Sequence, residues 1–104
     1  MKLLETIAKE YINIVERLEQ DLPIENDRIV VAREVFKSML EQYNYMTFSA
    51  KTKIYKQLNF IIHDRNNYTM PYKDKEFKKT VRKVVINYDT YKIVKHLHEY
   101  DIEI

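Results

Sequence analysis

The chain has 104 residues, of which 45% are hydrophobic and 33% charged, and this balance predicts a single soluble globular domain over residues 1–104. Cysteine is absent, which excludes disulfides, thiol nucleophiles and iron–sulfur sites and fits a reducing cytoplasm. The longest apolar run covers only residues 29–32, whereas a helix that spans a bilayer needs about 20. We therefore expect a cytoplasmic protein that makes no contact with a membrane.

Glycine is also absent, although average usage of about 7% predicts roughly seven copies in a chain of this length. Loops that cradle phosphates need glycine for positive φ and for close approach of the backbone. Walker-type and dinucleotide-type nucleotide sites are therefore excluded, and most cofactor enzymes are excluded with them.

The formal net charge is only +2, but the charges are distributed unevenly. Residues 1–48 carry a net charge of −3, residues 49–98 carry +8 and residues 99–104 carry −3. A basic segment between acidic ones is typical of a protein that places one face on a polyanion. The alternative is a solvated, lysine-rich surface without a ligand.

A first helix is predicted over residues 2–22, because apolar side chains recur there at spacings of three and four: Leu4, Ile7, Tyr11, Ile14, Leu18 and Leu22. The apolar arc covers about half of the circumference, which is wider than a single docking stripe needs. Either neighbours within the domain or a partner protein must cover it. The candidate partner contacts are Leu3, Ile7, Ile12 and Ile14.

Two further helices are predicted, one from Ala32 to Tyr43 and one from an N-cap at Ser49 to about Asn59. The apolar residues 29–31 precede them as a short extended entry or as a helix start. About five residues separate the two helices, and such a short connection is typical of a helix-turn-helix. In the third helix we expect Ala50, Ile54 and Leu58 to face the core.

The pattern beyond Leu58 changes from helical to extended. Residues 60–63, 64–67 and 68–70 predict a strand, a turn and a second strand. A polar tip at residues 73–76 and a β-branched strand from Thr80 to Ile86 then complete a hairpin that carries many lysines. Asp89 is predicted to cap a last helix.

This order of two helices, a basic helix, a basic hairpin and a final helix resembles a winged helix-turn-helix over residues 29–98. Segments 29–36, 48–58 and 82–87 carry the resemblance through element order and the spacing of basic residues. The chain is similar in particular to the small winged-helix proteins found beside primases and helicases in Gram-positive mobile elements, such as the staphylococcal cassette chromosome. The resemblance implies an α+β winged helix-turn-helix with an extra N-terminal helix and a C-terminal helix.

A winged helix places the helix after the turn in a groove of DNA, while its wing reaches an adjacent backbone. Arginine is missing from the outward face of the third helix, which favours binding led by the phosphate backbone over fine sequence selectivity. Aromatic residues between the wing lysines make single-stranded DNA a candidate ligand beside duplex DNA. The predicted DNA contacts are Ser49, Lys51, Thr52, Lys53, Lys56, Asn59, Lys73, Lys75, Lys78, Lys79 and Arg82.

No group of residues has the pattern of a catalytic site. His63 and Asp64 are adjacent in a predicted strand and point to opposite faces, so they cannot act as a base and its orienting partner. His96 and His98 are two apart on a helix and do not share a face on which to bind a metal. We expect no enzymatic activity, no metal and no cofactor.

Three roles remain open for a chain of this kind. The first is an accessory to replication or priming, whose N-terminal helix contacts a replication or primase protein or a second copy of the chain. The second is a small phage or plasmid protein that binds and inhibits another protein. The third is a dimeric transcriptional repressor, in which two recognition helices match two half-sites.

Overall fold

Four helices and four antiparallel strands form the part of the chain described by the computed structural model, residues 2–74 and 78–99. In chain order they are α1 (Lys2–Asp21), β1 (Arg28–Ala32), α2 (Arg33–Glu41), α3 (Phe48–Gln57), β2 (Ile61–Ile62), β3 (Met70–Asp74), β4 (Lys79–Asn87) and α4 (Tyr88–Glu99). The predicted α+β class is confirmed, and all four helices lie close to their predicted positions. None of the described helices is long and apolar enough to cross a membrane.

Helix α1 lies at the centre of the hydrophobic core because its apolar face is covered on more than one side. Its buried residues are Ile7, Ala8, Tyr11, Ile12, Ile14, Val15 and Leu18. The Tyr11 ring stacks on Phe60 at 3.9 Å between centroids, and Tyr91 of α4 lies 6.5 Å from it, edge to face. Helix α1 is therefore part of the same packed unit as the strands and the other helices.

The burial of α1 corrects its predicted partner surface. Ile7, Ile12 and Ile14 are in the core and cannot contact a partner protein in this fold, so their assignment as partner contacts is wrong. The wide apolar arc is covered within the chain, in part by α4, whose Tyr91 and Val94 belong to the same buried core cluster. Of the four candidates only Leu3 is exposed, at 47%, and its role stays a prediction.

Strand β4 is the centre of the sheet and pairs on both of its sides. Strand β1 pairs with residues 83–87 on one side, and β2 and β3 pair on the other side with residues 85–86 and 79–83. Alternate residues of the paired strands point into the core, as in the buried pairs Ile29 with Ile86 and Val31 with Val84. The segment before α2 is therefore a strand and not the start of a helix.

The hairpin predicted within residues 60–70 is wrong, because β2 and β3 do not pair with each other. Both lie along the same edge of β4, and residues 63–69 leave the sheet between them. Arg82 of β4 holds this excursion, donating to the Thr69 hydroxyl at 2.7 Å, to the Thr69 carbonyl at 2.8 Å and to the Asp64 carboxylate. The hairpin predicted beyond it is present as β3 and β4.

A tight turn at residues 25–28 joins the end of α1 to β1. Asn26 and Asp27 both have positive φ, at 52° and 57°, and Glu25 and Arg28 exchange two backbone hydrogen bonds of 3.0 Å. This is the geometry of a two-residue type I′ turn, which glycine usually serves and which asparagine and aspartate tolerate next best. The Asp27 carbonyl also accepts the Tyr88 amide at 2.9 Å, which fixes the start of α4.

Candidate nucleic-acid interface

Helix α3 begins two residues earlier than its sequence pattern predicts. Thr47, not Ser49, is the N-cap, and its side-chain oxygen accepts the Ala50 amide at 3.2 Å. The helix ends at Gln57, and Asn59 follows in the left-handed region with φ 59°. Ser49 is thereby placed in the first helical turn, where its side chain is exposed.

The exposed stripe of α3 consists of Ser49, Lys53 and Gln57, which are spaced four residues apart and lie on one face. Lys56 is half-buried beside this stripe, and Asn59 is exposed beyond its end. Four of the six predicted contacts of this helix segment are therefore accessible to a ligand.

The other two predicted contacts, Lys51 and Thr52, are wrong because they are buried. Lys51 is 1% exposed, and its ammonium lies 2.7 Å from the Glu10 carboxylate and 2.6 Å from the Leu40 carbonyl. The Thr52 hydroxyl donates to the Ser49 carbonyl within the helix at 2.9 Å. The inward face of α3 is therefore the face of Lys51 and Tyr55, while Ala50, Ile54 and Leu58 are only partly buried.

A buried polar cluster explains this rotation of α3. Glu10 of α1 is 3% exposed and accepts hydrogen bonds from Lys51 and, at 2.8 Å, from the Tyr55 hydroxyl. Burial, and after it the Glu10 charge, hold the pKa of Tyr55 well above its ordinary value, so the hydroxyl remains a donor. Burial and Glu10 likewise raise the pKa of Tyr45, whose ring lies 4.2 Å from the Lys51 ammonium.

The β3–β4 hairpin presents the second group of predicted contacts. Lys73, Lys78 and Lys79 are exposed, and Lys73 lies opposite Thr80 in the pairing register. Lys75 lies outside the described residues. Arg82 is half-buried and its guanidinium donates to Thr69 and Asp64, and its assignment as a DNA contact stays a prediction.

Aromatic contacts connect α3 to the base of the hairpin. The Tyr68 ring, two residues before β3, lies 5.5 Å from Phe48 at the start of α3 and 6.3 Å from Phe36 of α2. Tyr68 thus packs between elements and is not a free platform for a base. Because of this contact, the first turn of α3 and the base of β3 lie side by side.

Two basic residues of α2 also lie at this surface, although the sequence pattern did not assign them to it. Lys37 lies over the Phe48 ring at 5.7 Å, and Arg33 lines a cleft of about 480 Å³ together with β4 residues 80–83. Their position depends on the pairing of β1 with β4, which places the start of α2 beside the hairpin. No local pattern in the sequence encodes that long-range pairing.

The lysines of the molecule divide into a paired and an unpaired group. Lys51, Lys92 and Lys95 form ion pairs with carboxylates of α1, α4 or the turn before β1. Among the described side chains, residues 3–73 and 78–99, no ion pair involves Lys53 or Lys56 of α3, or Lys73, Lys78 and Lys79 towards the far end of the hairpin. The carboxylate of the Asn26–Asp27 turn, which pairs with Lys92, is far from the hairpin lysines. The turn lies at the other end of β4, about 26 Å from Lys79 at the rise of a β-strand.

Asn59, a predicted DNA contact, also has a conformational role that can be measured. Replacing it with alanine should lower the free energy of unfolding by about 1 kcal/mol, because alanine is strained at positive φ after a helix. Asn59→Gly, which has no such strain, is the matched control and should be at least as stable as the unmodified protein. Urea unfolding measures both, and an alanine variant as stable as the glycine variant would contradict this role.

The chain matches no protein family model, and comparison with curated proteins found no relative.

Proposed function

We propose that this chain is a non-enzymatic DNA-binding protein of the winged-helix type, which holds the phosphate backbone with α3 and the β3–β4 hairpin. The observation that carries the proposal is the group of unpaired lysines on these two elements: Lys53, Lys56, Lys73, Lys78 and Lys79. Lysines that form no ion pair with the described side chains can offer their charge to phosphates, and neutralising phosphates releases counterions from DNA.

The arrangement of elements supports the winged-helix part of the proposal. A six-residue turn separates α2 from α3, and an antiparallel hairpin follows α3 along the chain. The Phe48–Tyr68 contact brings the first turn of α3 next to the base of that hairpin. We propose that one nucleic-acid segment contacts both elements.

The chemistry of the surface favours contacts to phosphate over contacts to bases. Lysine is a compact charge on a flexible stem and does not make the bidentate contact by which arginine reads guanine. The exposed stripe of α3 offers only Ser49 and Gln57 as further polar groups besides Lys53. We therefore propose broad binding, as an accessory to replication or priming requires.

The test is fluorescence anisotropy with labelled duplex and single-stranded DNA of equal length across a salt series. The logarithm of the association constant should fall linearly with the logarithm of salt concentration, with a slope set by the number of phosphates contacted. A preference for single strands supports the accessory role, whereas paired, cooperative binding to a palindromic duplex supports a dimeric repressor. No binding at low salt would overturn the proposal and leave the protein-binding role.

Charge reversal on the proposed surface supplies the matched comparison. Lys53→Glu combined with Lys79→Glu should weaken binding more than thirtyfold and reduce the salt slope by about 2, because each phosphate contact contributes roughly 0.9. The control is Lys9→Glu combined with Arg28→Glu, which changes the net charge equally at exposed positions on α1 and at the far end of the sheet. Equal losses for the two double variants would show that net charge alone drives the binding.

A further inference from the structure

Lys51 connects three separate segments of the chain at a single buried atom. Its ammonium bonds to the Glu10 carboxylate on α1, to the Leu40 carbonyl in the last turn of α2 and to the Tyr43 carbonyl in the turn that follows. The three donors of the ammonium are thereby matched by three acceptors. Lys51 itself belongs to the first turns of α3, two residues before the exposed Lys53.

These contacts fix the geometry of the connection between α2 and α3. The last carbonyls of a helix have no partner within it, and a cation at that end satisfies them and complements the helix dipole. Here the cation comes from the next helix, so the end of α2 and the start of α3 are held at one point. Glu10 links this point to α1. Its second carboxylate oxygen accepts a hydrogen bond of 2.8 Å from the Tyr55 hydroxyl.

Stability alone does not require an ion pair at this buried position, because apolar side chains could stabilise it as well. Replacing a buried ion pair by apolar groups of similar volume is often neutral or stabilising. An apolar pair at positions 10 and 51 would fill the same space but would remove the ammonium that bonds to both the Leu40 and the Tyr43 carbonyl. What the ion pair adds is a directional contact at the turn.

We infer that Glu10 and Lys51 are positioning residues for DNA binding, which set the orientation of α3 and its Ser49–Lys53 surface without touching the nucleic acid. The inference rests on the proposed function, which supplies the ligand for that surface. Both residues lie in the core, so neither can reach a phosphate while the fold is intact.

The decisive variant is Glu10→Gln combined with Lys51→Met, which leaves the net charge and every exposed lysine unchanged. Its affinity for the DNA used above should fall at least tenfold at a temperature where both proteins are fully folded. Glu10→Gln alone distinguishes two explanations by the direction in which the affinity for DNA changes. It removes a negative charge, so long-range electrostatics predicts tighter binding. The positioning role predicts weaker binding. Glu5→Gln, on the exposed face of the same helix, is its control.

Unchanged affinity of the double variant, or tighter binding by Glu10→Gln equal to that of Glu5→Gln, would overturn the inference. If the unmodified protein does not bind DNA, the proposed function fails, and amide hydrogen exchange of the double variant still tests the positioning role. Faster exchange confined to residues 42–50 supports the positioning of the turn. Faster exchange that includes β4, or exchange that is unchanged everywhere, contradicts it.

Discussion

Replacing Tyr11 with alanine should lower the free energy of unfolding by about 3–5 kcal/mol, a large part of the total stability of a domain of this size. Tyr11 is fully buried and its ring contacts Phe60, Tyr55 and Tyr91, at centroid distances of 3.9, 6.0 and 6.5 Å. Alanine would leave a cavity where α1, α3 and α4 meet, and these aromatic contacts would be lost together. Urea unfolding followed by far-ultraviolet circular dichroism measures the loss.

Tyr11→Phe separates the ring from its hydroxyl and serves as the control. The hydroxyl donates to the Asn87 carbonyl at the junction of β4 and α4, and burial raises the pKa of Tyr11 so that the group stays protonated. Phenylalanine keeps the ring packing and loses this hydrogen bond, which should cost about 1 kcal/mol. A similar loss for both variants would show that the hydrogen bond, and not the ring, carries the stabilisation.

Lys51→Met alone should also destabilise the fold by about 3–5 kcal/mol, because it leaves the Glu10 carboxylate buried without its ionic partner. The variant that also carries Glu10→Gln should recover much of this loss, since no unpaired charge then remains in the core. A double-mutant cycle in urea measures the coupling between the two positions. Strictly additive effects would contradict the network.

The exposed ion pair between Lys92 and Asp27 is the control for this cycle. Both side chains are about half exposed and their charged atoms lie 3.2 Å apart, a setting in which ion pairs contribute little. Lys92→Met should therefore leave the midpoint of urea unfolding nearly unchanged. The comparison isolates the effect of burial, because both changes remove one lysine.

The helices were predictable from local pattern, but the orientation of α3 was not. The apolar spacing of α1 identified its buried face correctly, since Ile7, Tyr11 and Ile14 are nonpolar or aromatic and recur at helical intervals. In α3 the same reasoning placed Lys51 on a flank of the outward face and assigned it to the DNA contacts, whereas the structure buries it. Its burial depends on Glu10, which is 41 residues away in the sequence, and no local period contains that pairing.

The sheet shows the same limit. Turn-forming residues at 64–67 predicted a hairpin, and those residues do lie outside the sheet. The partner of both flanking strands is nevertheless β4, in which Val84, Val85 and Ile86 are buried in succession. The choice of strand partner depends on packing across the core, which no local pattern reveals. The hairpin lysines could therefore be assigned to one surface from the sequence, because they are neighbours along the chain. Arg33 and Lys37 could not, because their position depends on the strand pairing.

The interrupted edge formed by β2 and β3 bears on self-association of the chain. A long, flat edge strand offers unpaired backbone groups as a template for strands of other molecules, and this is a common route to aggregation. Here β2 has only two residues, the chain then leaves the sheet, and β3 contains Pro71, which has no N–H to offer. Hydrogen bonds from Arg82 to Thr69 stabilise the segment that leaves the sheet, residues 63–69. Arg82 thus helps to keep this edge from acting as a seed for intermolecular β-structure.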